Sequence, residues 1–170
     1  QNFWIQRINP FVFAKVAEDR VQDGTERAMN IGLRFNITRQ GFLNFFNSFG
    51  REAWRGQMFD TGQRGVYFEQ QTLRWLRLYG EFNTGPAIFY AFTNPFQGRQ
   101  RFIQAGFTLQ PNENLTQSID FDNVRFENDA TGALVYDVDI VNSRTTYQFN
   151  RNFLVRFLAQ YDSSARRVLT

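Results

Sequence analysis

The chain has 170 residues, enough for one domain (1–170) with a core of useful size. It contains no Cys and no His, which excludes thiolate nucleophiles, His-based triads, the usual zinc ligand sets and disulfides. The net charge is +3, and Lys15 is the one lysine among 19 basic residues. Arginine is less strongly hydrated than lysine and bonds in a planar fork, which suits a crowded polar interior; a GC-rich genome produces the same bias. No run of about 18 apolar residues is present, so no helical membrane span is expected. Barrel strands, needing only about 9–11 alternating residues, escape that test.

The first strand is expected over Phe3 to Val16, with a bulge or sheet edge at Pro10. Val21 to Glu26, containing Asp23-Gly24, reads as a turn. The clearest element follows: Met29, Ile31, Leu33, Phe35 and Ile37 are apolar, and Asn30, Gly32, Arg34, Asn36 and Thr38 are polar or glycine. A period of two marks a strand with one greasy and one wet face. It is expected to end near Arg39-Gln40-Gly41. Phe42 to Trp54 alternates poorly and reads as a strand or an aromatic loop. Phe59 to Gly62 signals a turn.

Val66 to Phe82 reads as one long strand whose wet face carries Thr72, Arg74, Arg77, Tyr79 and Glu81. The change of phase between Arg74 and Arg77 calls for a bulge near Trp75-Leu76. Asn83 to Pro86 is a turn signal, Ala87 to Thr93 is apolar on both faces, and Asn94 to Gly98 turns again. Ile103, Ala105, Phe107 and Leu109 then alternate with polar neighbours, up to a turn at Pro111 to Asn114. Leu115 to Phe126 slips phase around Asp122-Asn123. Asn128 to Gly132 is a hairpin turn. Ala133 to Gln148 alternates, with Asp137 and Asp139 on one face. After a short turn at Phe149 to Asn152, the last strand puts Phe153, Val155, Phe157, Ala159 and Tyr161 on one side.

Alternation alone does not say which face meets solvent. A soluble sandwich hides its apolar face, and a membrane barrel displays it. Three features favour the barrel. The wet face is Asn, Gln, Thr, Gly and Arg rather than Lys and Glu. Several strands exceed the usual length of about 5–6 residues. Aromatics (Phe3, Trp4, Trp54, Phe59, Phe96, Tyr147, Phe149, Tyr161) crowd the strand ends, as in interfacial girdles. The expected fold is therefore an all-β, antiparallel transmembrane β-barrel, or a large part of one, with about nine or ten strands. Met29, Ile31, Leu33, Phe35, Ile37, Ile103, Phe107 and Leu109 are the expected lipid-facing residues. Arg34, Arg74, Arg77, Asp137, Asp139, Arg144 and Arg156 are the expected lumen-facing charges, either selecting anions or sugars or salt-bridged into a rigid interior.

The run from Arg144 through Tyr147-Gln148-Phe149, Arg156 and Gln160-Tyr161-Asp162 to Arg166-Arg167 resembles a stretch near the end of a family of large bacterial outer-membrane proteins. Members of that family join a family-nine-like carbohydrate-binding module to a C-terminal β-barrel of uncharacterised function. The Arg74-Trp75-Leu76 strand and the Gly132 to Asp137 hairpin look similar to its barrel. The resemblance implies the outer membrane of a Gram-negative bacterium and a longer barrel, and it brings no active-site residue. The 170 residues do not include the module or the hairpins that follow the Tyr-Asp run in the family, and carbohydrate stays open as a partner. The chain begins without Met, and both ends fall near strand-like sequence. The first and last strands are accordingly expected not to pair with each other, but with further chain or another subunit.

No catalytic constellation is visible. Asp120 and Asp122, like Asp137 and Asp139, are two apart in a strand, about 6.5–7 Å. Such pairs can serve glycoside hydrolysis or Ca²⁺ binding, or pair with arginines such as Arg144 and Arg156, the preferred reading here. Arg64 to Phe68 fits an RNA-binding signature poorly, so nucleic acid is not expected. No cofactor or metal is called for; membrane lipid is the expected partner. The two functional readings are a pore-type or structural subunit of a membrane assembly and the anchor of a carbohydrate-binding or carbohydrate-processing protein. A soluble, lipocalin-like barrel is a third.

Overall fold

The computed structural model describes residues 4–19 and 24–166. Among them are nine strands and no helix: β1 (Ile5–Asp19), β2 (Gly24–Ile37), β3 (Gly41–Trp54), β4 (Gln57–Leu73), β5 (Leu76–Phe89), β6 (Phe96–Leu109), β7 (Leu115–Asn128), β8 (Leu134–Asn150) and β9 (Phe153–Arg166). Each pairs antiparallel with the next, giving one meander in the order β1 to β9. Among the described residues eight ladders are formed; β1 pairs only with β2 and β9 only with β8. The sheet is barrel-like and not closed. Its accessible surface is 12144 Å² for 20.1 kDa, against about 8,700 Å² for a compact chain of that mass. Most of the sheet therefore has no second layer packed on it.

The strands run 14 to 17 residues. At about 3.4 Å per residue the shortest is near 48 Å long. One end, the upper, carries residues 55–56, 90–95 and 129–133. The lower end carries 38–40, 74–75, 110–114 and 151–152. Among the described residues three turns use left-handed residues, one of them through Gly132 (φ 66°). Arg39 and Gln40 have φ of 61° and 55°, and Arg55 and Gly56 have 54° and 73°. The Arg55-Gly56 pair makes the two-residue hairpin whose twist matches its flanking strands.

Several boundaries differ from the sequence reading. Val66 to Phe82 is a hairpin rather than one bulged strand: Leu73 pairs with Leu76 around Arg74-Trp75. The phase change was that of a turn lacking Gly, Asn or Asp. Phe59 to Gly62 lies inside β4, and Asn83 to Pro86 inside β5. Their glycines are needed for close approach, not turning: a β-carbon at Gly85 would strike the backbone of Gly62 and Gln63. Phe42 to Trp54 is wholly strand. Pro10 is in the edge strand, paired with Leu33, and the irregularity in that ladder is at Ile5 to Arg7. The β7 irregularity is at Phe126 to Glu127, not at Asp122-Asn123. The expected Phe3 start and the first half of the Val21 to Glu26 turn lie outside the described residues; Gly24 to Glu26 are in β2, not in a turn.

Candidate functional site

The register sorts every strand residue onto one of two faces. On one face, the row Asn9, Arg34, Asn44, Tyr67, Glu81, Gln104, Asp122, Ile140, Asp162 crosses all nine strands. Eight of its nine members are polar. The next row towards the lower end reads Arg7, Asn36, Phe42, Glu69, Tyr79, Gly106, Asp120, Asn142, Gln160. These rows form a continuous polar lane.

Within the lane the charges meet one another. Arg77 donates to Glu69, which also accepts from the Tyr67 hydroxyl at 2.7 Å. Asn83, buried, donates to Glu81 at 2.7 Å, and Gln104 to Asp122 at 2.8 Å. Arg34 lies 3.9 Å over the Phe42 ring. Arg144 and Asp120 line an open hollow of about 430 Å³, and the Arg156 Nε donates to the Thr146 hydroxyl at 3.3 Å. Paired and hydrogen-bonded in this way, charges are tolerated away from bulk water. Above the lane, aromatic rings lie across glycines of the neighbouring strand, Phe11 over Gly32 and Phe46 against Gly65.

At the upper end of the same face is a second hollow, of about 360 Å³. Small side chains leave the space (Ala28, Ser48, Thr61, Ala87), and Tyr90 reaches in from the loop 90–95. The Tyr90 hydroxyl donates to Glu52 at 2.8 Å, and its ring meets Trp54 edge-on at 5.1 Å. Partial burial, then the bond to Glu52, pushes the Tyr90 hydroxyl up to about 12.

The other face is apolar over most of its height. All eight residues singled out in the sequence, from Met29 to Ile37 and from Ile103 to Leu109, fall on it. Arg34, Arg77, Arg144 and Arg156 fall on the polar face. Three expected positions need correcting. Arg74 is in the β4–β5 turn and on neither face. Asp137 and Asp139 share the face of Ile103 and Phe107, opposite to Arg144 and Arg156, because odd and even residues of β8 point apart. Their partners are Asn123, whose Nδ2 donates to both carboxylates at 2.8 Å, and Arg125, 3.8 Å from Asp137. The expected cross-strand Arg–carboxylate contact exists, made by Arg125, which the sequence reading did not single out.

Asp137 and Asp139 belong to a polar border along the upper edge of the apolar face. The last apolar and first polar residues are Met29 and Arg27 on β2, Val66 and Arg64 on β4, Ile103 and Arg101 on β6, and Val141 and Asp139 on β8. Against the ladder row Ile31, Asn47, Arg64, Thr84, Arg101, Arg125, Asp137, this border slides. On β2 it is about three residues above the row and on β8 about three below. Six residues are about 20 Å, and six strand spacings about 29 Å, so the border runs at about 35° to the ladder rows.

No protein-family model matches this chain, and neither the curated proteins nor the solved structures provide a match.

Proposed function

We propose that this chain is a β-barrel protein of a bacterial outer membrane, a structural or pore-type subunit of a larger membrane assembly. The observation that carries this reading is the oblique border. In a barrel the strands tilt by about 35–45° from the membrane normal. A border parallel to the membrane must then cross the ladder rows at that angle, and the observed slope is about 35°. A soluble sheet has no reason to align its polarity along such a line. The apolar stripe on β2, Met29 to Ile37, spans nine residues, close to the 9–11 that cross a bilayer.

The sheet edges bear on the assembly. Nine antiparallel strands leave β1 and β9 running the same way, whereas every ladder formed is antiparallel. Unpaired amides in hydrocarbon are costly. An odd number of further strands, from another subunit or from more of the same chain, closes the sheet antiparallel. The reading of the chain as anchor of a carbohydrate-binding or carbohydrate-processing protein rests on the resemblance alone and is the second proposal.

The test is depth-dependent quenching. Single cysteines are placed at 33 and 107 on the apolar face and at 34 and 104 on the polar one, labelled with a fluorophore, and the protein is reconstituted in vesicles. Lipid-borne quenchers are expected to reach the first pair and not the second. A detergent-free, water-soluble monomer with positions 33 and 107 buried in protein overturns the proposal. Conductance across a planar bilayer then separates a pore from a plugged anchor.

A further inference from the structure

On the apolar face, Arg27 and Arg51 stand directly opposite one another across β2 and β3. Like charges in directly paired positions repel. Arg51 is bonded to Asp60, Nε to Oδ1 at 2.9 Å. Among the described residues, no carboxylate lies within ion-pair distance of Arg27. Arg64 and Arg99 follow on the same face, both exposed. From β2 to β6 the border thus gathers Arg27, Arg51, Arg64, Arg99 and Arg101 against Asp60 as its acid. The balancing carboxylates Glu127, Asp137 and Asp139 are on β7 and β8.

Beneath Arg27 and Arg51 is an open groove of about 420 Å³ whose floor includes Val16, Met29 and Phe49. Its top carries Arg27 and the Arg51–Asp60 pair, a net positive charge, and it is apolar below. Guanidinium groups form planar, paired bonds to phosphate oxygens, and the apolar floor fits a hydrocarbon chain. Val16 and Met29 are exposed by 73% and 37%, and Phe49 by 47%, so the floor is not filled by the protein's own side chains.

We propose that this groove binds one phospholipid of net negative charge, its phosphate between Arg27 and Arg51 and an acyl chain along Val16, Met29 and Phe49; a zwitterionic headgroup brings a cation that the paired arginines repel. The inference rests on the membrane reading above. A free phosphate ion satisfies the arginines equally well and leaves the floor unused, so floor variants separate the two sources.

The experiment uses the full chain, reconstituted in phosphatidylcholine vesicles containing a minority of phosphatidylglycerol. Insertion is read by protease protection. Retained lipid is read by native mass spectrometry after detergent extraction. Wild type is expected to insert and to retain phosphatidylglycerol over phosphatidylcholine by about tenfold or more, the worth of one charge-assisted bond. Arg27→Gln, and the double variant with Arg51→Gln, are expected to insert and lose that preference. Arg151→Gln, at the lower end, keeps it. Phe49→Ala is expected to weaken retention. Failure of wild type to insert into any vesicle overturns the membrane reading and the lipid site with it. Insertion with no preference, or with one that Arg27→Gln leaves intact, overturns the site alone. Displacement by inorganic phosphate, with Phe49→Ala silent, overturns the lipid assignment in favour of an ion.

Discussion

The side chain of Gln97 does the work of a ladder rung for Asp60. Its Oε1 accepts from the Asp60 N–H at 3.0 Å, and its Nε2 donates to the Asp60 carbonyl at 2.9 Å and to the Ala87 carbonyl at 3.0 Å. The registered β4–β5 pairs stop at Arg64–Thr84, so one amide from β6 bridges the two strands where they part. Gln97→Ala leaves these backbone groups without that partner, at a cost of about 1–3 kcal/mol. Gln97→Glu retains the acceptor, loses the donor and is expected to fall between. Amide exchange at Asp60 checks this: faster exchange in Gln97→Ala, with Phe68 unchanged, is the expected result, and unaltered exchange at Asp60 rules it out.

Asn123 holds two carboxylates apart from open repulsion. It is 7% exposed and donates to both Asp137 and Asp139, while Arg101 donates to its Oδ1 at 3.2 Å. Asn123→Leu removes the shared donor, so that Asp137 keeps Arg125 and Asp139 loses its bond to Asn123. We expect a loss of about 2–3 kcal/mol, and a larger one for Asn123→Asp, which adds a third charge. Urea denaturation of both variants measures it; a loss for Asn123→Asp no larger than that for Asn123→Leu would place the effect in packing instead.

These two relationships show why the sequence revealed the faces more fully than the fine structure. The stripe from Met29 to Ile37 is read directly, because a period of two has one meaning for a sheet. The counts of strands and the separation of Arg34, Arg77, Arg144 and Arg156 from Ile103 and Phe107 follow from it. Turn positions were obscured by chemistry. Arg74-Trp75 carries no Gly, Asn or Asp, whereas Gly62 and Gly85 are in strands, where a neighbouring backbone leaves no room for a β-carbon. Asp137 and Asp139 were placed with Arg144 although an odd and an even position on one strand cannot share a face. The oblique border was invisible without register, since its slope exists only between strands.

Substitution on the two faces should differ sharply under the proposed membrane reading. An Arg at Leu33 or Phe107 puts a charge in hydrocarbon, costing about 2–4 kcal/mol near mid-bilayer. Thr108→Asn, on the polar face beside Arg77 and Ser118, is expected to cost little. Urea-driven unfolding from vesicles measures all three. Equal penalties on both faces would remove the distinction on which the reading depends.

The loop 90–95 should respond to alkali. Tyr90 titrates at about 12 in the folded chain, raised from 10.0 by partial burial and by its bond to Glu52. The folded value is above the unfolded one, so the contribution is fully present below pH 10 and is lost as pH rises through 12. Ionisation puts a phenolate against the Glu52 carboxylate and removes the donated proton, so the ring should leave Trp54. Trp54 fluorescence is expected to change as pH rises through 12 in wild type, and to stay flat over that range in Tyr90→Phe, which keeps the edge-on ring contact without the hydroxyl. Glu52→Gln removes the carboxylate that helps to raise the hydroxyl, so its transition should begin at lower pH. A Trp54 transition of the same midpoint in Tyr90→Phe would assign the change to another group and break the proposed link between Tyr90, Glu52 and the loop.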